Sequence, residues 1–186
     1  MQFIFLGPPG AGKGTQATLL SEQRSIPHIS TGDILRDAVA GKTALGIQAH
    51  QHVEAGELVP DILIMALMRE RFGQPDLKPG WILDGFPRTV AQAHALEELL
   101  SICKQPYPKV IYLEVSSDQL VERLLAQDRL DDTEAVIRRR LAVYRKETIP
   151  LIDFYRKRQC LVTIDGNGSQ SEVAQFLQES LAEVSL

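Results

Sequence analysis

The stretch that decides the fold is Gly7-Pro8-Pro9-Gly10-Ala11-Gly12-Lys13-Gly14-Thr15, which directly follows the apolar run Gln2-Phe3-Ile4-Phe5-Leu6. This run does not alternate between apolar and polar residues, and the lack of alternation is typical of a strand that is buried on both faces of a parallel sheet. Residues 14–25 are predicted to be helical. The sequence therefore predicts a strand, a glycine-rich loop and a helix in direct succession.

The glycine-rich loop has the spacing G-x-x-x-x-G-K, with the hydroxyl residue Thr15 one place late because Gly14 follows Lys13. Glycines let the backbone curl so that its N–H groups converge on an anion, and the following helix adds the positive end of its dipole. Lys13 supplies a charge for a transferred phosphoryl group, and Thr15 can face a metal or a phosphate. The alternative is a plain turn, which the position between a strand and a helix disfavours. We predict a P-loop that binds nucleotide phosphates.

Alternation of strands and helices defines the predicted fold. Further apolar runs occur at residues 81–83, 110–115 and 160–164, with a shorter candidate strand at 26–29. The predicted helices are residues 14–25, 33–40, 45–55, 61–72, 89–102, 117–127, 133–147 and 171–184, and Pro150 is expected to break or kink a helix between 147 and 156. This pattern predicts an α/β fold of the three-layer P-loop type, with a five-stranded parallel sheet flanked by helices. Residues 30–73 carry three helical segments and no predicted strand, and so predict a small helical insertion.

Composition excludes several classes of protein. The 186 residues predict one domain, and 20 Lys+Arg against 24 Asp+Glu leave a formal net charge of −4, which offers no global attraction to nucleic acid or an anionic membrane. The two cysteines, Cys103 and Cys160, exclude a disulfide scaffold and a four-cysteine zinc site. No apolar run approaches the roughly 18 residues that span a bilayer, and the N-terminus lacks the features of a signal peptide. A cytoplasmic location is therefore expected.

Two further motifs predict a second anion site. Ser30-Thr31-Gly32-Asp33-Ile34-Leu35-Arg36 begins a helix, and Asp84-Gly85-Phe86-Pro87-Arg88 follows the strand at 81–83. Arg36 and Arg88 are candidates to clamp a phosphate, because a guanidinium group binds phosphate oxygens in a bidentate manner. Taken singly, each arginine could equally be an ordinary surface residue.

Basic residues also gather late in the chain, at Arg123, Arg129, Arg138, Arg139 and Arg140. The bare run 138–140 could be a solvated helix face. At about 100° per residue, however, Arg139 points away from the apolar stripe formed by residues 137, 141 and 144, whereas Arg140 lies roughly 60° from its centre. Arg140 is therefore the member of the run that is best placed to reach a cleft.

Together, residues 7–15, 30–36 and 84–88 resemble the motifs of adenylate kinases, which belong to the nucleoside monophosphate kinases, and the resemblance covers essentially the whole chain. It implies a reversible, Mg²⁺-dependent transfer of the terminal phosphoryl group of ATP to AMP, giving two ADP and supporting adenine nucleotide homeostasis. It also implies a monomer whose partners are ATP, AMP and ADP. The AMP phosphate is already an anionic nucleophile at pH 7, so this chemistry needs alignment and charge neutralisation and no histidine base.

The resemblance also implies roles for individual residues. For ATP it implies Gly10, Ala11, Gly12, Lys13, Gly14, Thr15, Arg123 and Gly168, the last at the adenine. For AMP it implies Thr31, Arg36, Glu57, Leu58, Val59, Gly85, Phe86, Pro87, Arg88, Gln92, Arg129 and Arg140. The catalytic charges would be Lys13, Arg88, Arg123, Arg129 and Arg140, and Asp84 would reach Mg²⁺ through water.

The resemblance divides the single domain, residues 1–186, into three parts. The core comprises residues 1–29, 60–125 and 133–186, the AMP-binding subdomain comprises residues 30–59, and a short lid comprises residues 126–132. A lid of this length implies no structural zinc. Gln127 stands where many relatives carry another arginine, which implies one positive charge fewer near ATP.

Two other functions remain as alternatives. A UMP/CMP kinase would use a different acceptor base, but such relatives tend to carry Ala-Gly-Asp in place of Thr31-Gly32-Asp33 and Asn in place of Thr89, so both positions favour AMP. A regulator that uses ATP occupancy as a switch would need only one nucleotide site, and the second arginine pair argues against it.

Overall fold

The computed structural model describes residues 1–126 and 133–183. Within these residues, one sheet of five strands has the order β2-β3-β1-β4-β5, and every neighbouring pair is parallel. The strands are β1 Gln2–Leu6, β2 His28–Ser30, β3 Trp81–Asp84, β4 Lys109–Glu114 and β5 Leu161–Asp165. The predicted five-stranded parallel sheet is confirmed.

Helices cover both faces of this sheet. They are α1 Lys13–Arg24, α2 Thr31–Ala40, α3 Ala44–Ala55, α4 Asp61–Phe72, α5 Val90–Ile102, α6 Ser117–Ala126, α7 Glu134–Val143, α8 Pro150–Lys157 and α9 Gln170–Glu183, with a 3₁₀ turn at Pro75–Leu77. Residues 31–73 therefore contain three helices, as predicted. Among the described residues, none of the helices combines the length and apolar composition that crossing a bilayer would require.

The central strand β1 explains why its sequence is apolar at nearly every position. Phe3 and Phe5 pack in a cluster with residues of α1, α6 and α9, whereas Ile4 and Leu6 pack in a second cluster with residues of α4, α5 and α8. All four side chains are at most 4% exposed. Burial on both faces is the condition under which a strand needs no polar alternation.

The edge strand β2 begins two residues later than predicted. It covers His28–Ser30, and not residues 26–29. Ile26 is 6% exposed and belongs to the turn after α1, where its N–H donates to the carbonyl of Ser21. Its apolar character therefore serves to pack this turn against the core rather than to form the sheet.

The helix break that Pro150 predicted is present. A π-helical turn, Tyr144–Thr148, separates α7 from α8, and the N–H of Ile149 donates to the carbonyl of Tyr144 over 3.0 Å. Proline has no N–H to continue the helical ladder, so it begins α8. The wide turn places residues 144 and 148 beside the loops of the sheet.

All five strands point in the same direction, so their carboxyl ends lie at one edge of the sheet. The loops that follow β1, β2 and β3 are residues 7–12, the start of α2, and residues 85–89. Ligands of open α/β sheets bind at this edge. The topology therefore places the two predicted phosphate-binding motifs next to each other.

The close crossing of α2 and α3 generates the first prediction. A Cβ atom at Gly46 would lie only 1.9 Å from the carbonyl oxygen of Ala38. We expect Gly46→Ala to push the two helices apart and to lower the free energy of unfolding by about 1–3 kcal/mol, as overpacking does. Urea denaturation measures this change.

A matched control is Gly73→Ala at the end of α4. Gly73 has an ordinary φ of −78°, and the nearest atom to an added Cβ lies 3.3 Å away. This variant should stay much closer to wild type, and a Gly46→Ala variant as stable as wild type would contradict the account of the crossing.

Candidate active site

A cleft of about 260 Å³ opens at the end of the sheet where the carboxyl ends of the five strands lie. Most of the predicted site residues line it: Gly12, Lys13, Gly14, Thr15, Thr31, Arg36, Glu57, Leu58, Val59, Asp84, Gly85, Phe86, Pro87, Arg88, Gln92 and Arg140. The structure thus brings the predicted P-loop and the predicted second anion site to one cavity.

Four predicted residues do not line the cleft. Gly10 and Ala11 belong to the P-loop but face the protein interior: a Cβ atom at Gly10 would lie 2.9 Å from Leu124 Cγ, and Ala11 is 3% exposed, with its N–H donating to the carbonyl of Pro8 over 3.1 Å. Arg123, on α6, and Gly168, in the loop after β5, lie together outside the cleft lining. Arg129 and Gln127 fall outside the described residues, as does all of the proposed lid at 126–132 except Ala126, the last residue of α6.

The P-loop turns through left-handed backbone at Gly10 and Gly12, with φ of 82° and 85°. Glycine adopts this conformation without strain. The loop ends where α1 begins, and the first turn of α1 contains no acidic residue that would neutralise the positive end of its dipole. The Lys13 ammonium group donates to the carbonyl of Pro8 over 2.9 Å, so the lysine folds back across the loop.

Arg88 is held in place by the protein itself. Its Nε–H donates to the carbonyl of Gly85 over 2.7 Å, its backbone N–H donates to Gln92 Oε1 over 2.8 Å, and its carbonyl accepts from the Thr148 hydroxyl over 2.9 Å. These bonds come from three different parts of the chain. The bond to Gly85 orients the half-buried guanidinium group at the cleft, and the other two fix the backbone that carries it.

The charges around Arg88 make the cleft suited to an anion. Burial lowers the pKa of the Arg88 guanidinium, and although Asp84 opposes this shift, the nearby charges of Arg140 and Arg36 lower the pKa further. A lowered pKa means that the positive charge is destabilised by its surroundings. A phosphate group in the cleft would offset this destabilisation with charge-assisted hydrogen bonds.

Arg36 approaches the same cleft from α2. Its guanidinium group forms an ion pair with Asp33 and lies over Gly32. At the start of this helix, the Thr31 hydroxyl is buried and donates to the carbonyl of Asp84 over 3.1 Å. This bond ties the start of α2 to the end of β3. It therefore fixes the motif at residues 30–36 beside the motif at residues 84–88.

Asp84 is the residue that fits a divalent metal ion. Its carboxylate is nearly buried, and Oδ1 has no hydrogen-bond partner among the described residues, while Oδ2 lies 3.8 Å from His28 Nε2. No group of three or more His, Cys, Asp or Glu side chains within residues 1–126 and 133–183 could hold a metal by itself. The site therefore suits an ion that keeps several waters and takes further oxygen ligands from phosphates, which is typical of Mg²⁺.

The segment after α3 supplies the apolar side of the cleft. Leu58 is half-buried and Val59 is buried, and both line the cavity. The Glu57 carboxylate instead forms an ion pair with Arg139. As the helical count predicts, Arg139 is exposed, whereas Arg140 is half-buried and lines the cleft.

The carboxamide of Gln92 already has partners within the protein. Its Oε1 accepts from the Arg88 N–H, and its Nε2 donates to Asp61 Oδ1 over 2.7 Å. A base that bonds to Gln92 would have to share or replace the contact with Asp61. Asp61 was not among the predicted site residues.

Arg123 binds the loop that contains Gly168. Its guanidinium group donates to the carbonyls of Gly166, Asn167 and Gly168 over 2.9, 3.3 and 3.3 Å. The Asn167 carboxamide oxygen also accepts from the N–H of Ser116 over 2.9 Å. The loop after β5 is therefore fastened to the end of β4 and to α6.

Sequence reasoning missed two residues of the π-helical turn that line the cleft, Tyr144 and Thr148. Thr148 supports Arg88 through its hydroxyl. Burial and the neighbouring Tyr112 raise the pKa of the Tyr144 phenol, so this group stays neutral. Pro150 signals the break in the helix, but it does not indicate which way the residues before the break face.

Comparison with known proteins gives a consistent result. The sequence model of the adenylate kinase family matches residues 5–160. The chain is 57% identical over 180 residues to "Adenylate kinase 1" of Nostoc, a match that covers 97% of this chain and 98% of that protein. It is 52% identical to "Adenylate kinase" of Cyanothece over 95% of this chain and 93% of that one. It is 49% identical to "Adenylate kinase" of Corynebacterium aurimucosum over 93% and 94% of the two chains.

Adenylate kinases are nucleotide-binding transferases that catalyse the conversion of ATP and AMP to two ADP and generally need a divalent metal ion. The resemblance that the three motifs carried is thus confirmed over nearly the full length of the sequence. A P-loop and a cluster of arginines on one cleft, in a chain that the family model matches for 156 residues (5–160), agree with that chemistry. On these grounds, this chain belongs to the adenylate kinase family.

Proposed function

We propose that this chain transfers the terminal phosphoryl group of Mg²⁺-bound ATP to AMP, reversibly, to give two ADP. The observation that carries the proposal is the convergence of two anion-binding groups on one cleft, the P-loop with Lys13 and the guanidinium groups of Arg36, Arg88 and Arg140. A protein that only senses ATP would need the first group alone.

The donor nucleotide is assigned to the P-loop side. The N–H groups of residues 10–15 would bind the ATP phosphates, and Lys13 would accompany the phosphoryl group in transfer. Arg123 holds the loop 166–168 by three carbonyls, which supports a role of this loop in receiving the adenine through its backbone. Arg123 then contributes to ATP binding by fixing that loop, with its charge close to the nucleotide.

The acceptor nucleotide is assigned to the opposite side. Arg36 and Arg88 would bind the AMP phosphate, and the loop 85–87 and Thr31 would support it. Leu58 and Val59 offer an apolar surface for the adenine, and Gln92 would bond to the base by exchanging its contact with Asp61. Arg129 and Arg140 would neutralise the transferred group, with Arg129 assigned by resemblance alone.

The chemical step needs little beyond alignment and charge. The AMP phosphate attacks in line, and its own negative charge makes a general base unnecessary. Mg²⁺ held near Asp84 through water would neutralise charge on the donor phosphates when it is bound. Arg88 and Arg140, which both line the cleft, would stabilise the charge that spreads over the transferred group.

We further propose that the protein works as a monomer in the cytoplasm. Static light scattering of the purified chain and fractionation of the source cells test these two statements.

Residues 30–59 are proposed to form a separate AMP-binding subdomain that moves over the cleft and excludes water, because water would otherwise hydrolyse ATP.

A coupled assay for ADP tests the proposed reaction directly. We expect ADP to form only when ATP, AMP and Mg²⁺ are all present, and AMP to be a better acceptor than UMP or CMP because Thr31 and Thr89 match the AMP pattern. The measurement is kcat/KM for each acceptor at saturating ATP. A higher value for UMP or CMP would replace this proposal with the UMP/CMP kinase alternative.

Replacement of Arg88 tests the acceptor clamp. Arg88→Ala removes a guanidinium group that lines the cleft but leaves the hydrogen bonds of the backbone N–H and carbonyl, so turnover should fall roughly 100-fold or more while the circular dichroism melt stays near that of wild type. Arg138→Ala is the matched control, because Arg138 is exposed and pairs with Glu134 on its own helix. If Arg88→Ala turned over like this control, the clamping role would be refuted.

Replacement of Asp84 tests the metal assignment. Asp84→Asn keeps the size of the side chain and removes its charge, so the Mg²⁺ concentration for half-maximal activity should rise about 10-fold or more. Asp37→Asn, at an exposed position of α2, is the control and should leave the Mg²⁺ dependence as it is. An unchanged Mg²⁺ titration of Asp84→Asn would remove this carboxylate from the metal site.

A further inference from the structure

An ion pair joins two distant parts of the chain at the rim of the cleft. Arg139 Nη2 lies 2.6 Å from Glu57 Oε1, and 82 positions separate the two residues. Arg139 belongs to α7, and Glu57 belongs to the segment that follows α3. The side chains are 55% and 42% exposed. Neither the helical count nor the resemblance to the family predicts this contact.

A close backbone contact lies directly beside the ion pair. Gly56 is buried, and a Cβ atom at this position would lie 3.0 Å from Arg140 Cγ and 3.1 Å from the carbonyl oxygen of Val136. The end of α3 therefore packs tightly on α7. The ion pair therefore lies next to a packed contact between α3 and α7. In this it differs from a pair of long side chains that meet only in solvent.

The two sides of this contact both lead into the cleft. On one side, Leu58 and Val59 follow Glu57 directly and line the cavity. On the other side, Arg140 follows Arg139 and lines it as well. The ion pair thus joins two parts of the proposed AMP site. One is the segment 57–59, assigned to the adenine, and the other is α7, whose Arg140 is assigned to the phosphate.

We propose that Arg139 is a positioning residue of the acceptor site, which holds residues 56–59 against α7 through its ion pair with Glu57. The pair sets the spacing between the apolar surface at Leu58 and Val59 and the charge of Arg140. This inference rests on the proposed function in taking AMP as the occupant of that side. ATP binds at the P-loop side, so its binding should not depend on the pair.

The neighbouring Arg138 provides a matched control. It lies on the same helix, is equally a surface arginine, and forms its ion pair with Glu134, one turn earlier on α7. Its side chain and that of Glu134 are 77% and 71% exposed. Removing Arg138 therefore removes the same charge and one ion pair without loosening the contact between α3 and α7.

The test compares Arg139→Gln, Arg138→Gln and wild type in steady-state kinetics. An exposed ion pair contributes modestly, so KM for AMP should rise about two- to fivefold in Arg139→Gln, while kcat and KM for ATP stay unchanged. Arg138→Gln should match wild type in all three constants. The difference between Arg139→Gln and wild type should shrink in 0.5 M salt, roughly the range in which surface charges are screened.

Charge exchange supplies a rescue experiment. Arg139→Glu should raise KM for AMP more than Arg139→Gln does, because two carboxylates then face each other, and the double variant Glu57→Arg/Arg139→Glu should recover most of the loss. An arginine that acted independently of Glu57 would not be rescued by a change at residue 57, and a merely structural pair would not change KM for AMP selectively. Equal KM values for Arg139→Gln and wild type, an equal rise in Arg138→Gln, or no recovery in the double variant would each overturn the proposal.

Titration calorimetry with AMP keeps this test separate from the proposed reaction. The same two- to fivefold weakening of AMP binding is expected for Arg139→Gln without any turnover. An active wild-type enzyme whose AMP affinity ignores residue 139 would refute the positioning role alone. A wild-type protein that binds AMP normally but forms no ADP would refute the proposed reaction. The role of Arg139 would then be decided by comparing the AMP affinities of wild type and Arg139→Gln.

Discussion

The burial of positive charge in the cleft is the constraint on which the site depends. Burial lowers the pKa of the Arg88 guanidinium, the carboxylate of Asp84 opposes this shift, and the charges of Arg140 and Arg36 add to it. Free arginine side chains would move apart into solvent, but here Arg88 is held by a carbonyl oxygen and by the bonds to its own backbone. A phosphate group in the cleft would compensate this buried charge with charge-assisted hydrogen bonds, provided that the scaffold holds the guanidinium group rigidly in place.

The scaffold achieves this rigidity through the parallel sheet. Because all five carboxyl ends lie at one edge, loops from distant parts of the chain meet there and bond to each other, as the Thr31 hydroxyl bonds to the carbonyl of Asp84. The loop after β5 is bound in the same way by Arg123. At the rim of the cleft, no strand of the described residues ends. There, the packing of Gly56 on α7 and the exposed ion pair between Arg139 and Glu57 join α3 to α7.

Features that depend on neighbouring residues were predictable. The P-loop, the five strands and the order of the helices follow from local patterns, and the helical period alone separated Arg140 from Arg139. Errors arose where an apolar residue had another reason to be buried, as at Ile26, which packs a turn and lies outside β2. The bond between Gln92 and Asp61 gave no signal either, because residues 31 positions apart meet only through the packing of α4 on α5.

By itself, the sequence determined the class of fold, the phosphate-binding loop and the family, because each rests on residue types at short, regular spacing. Only the tertiary structure decided which of these residues face one another. The strand order β2-β3-β1-β4-β5 brings Arg36 and Arg88 to one cavity, and the break before Pro150 turns Thr148 toward Arg88. The physical reason is that hydrogen bonds and ion pairs act over a few ångströms in space. The number of residues between two positions in the chain does not determine the distance between their side chains.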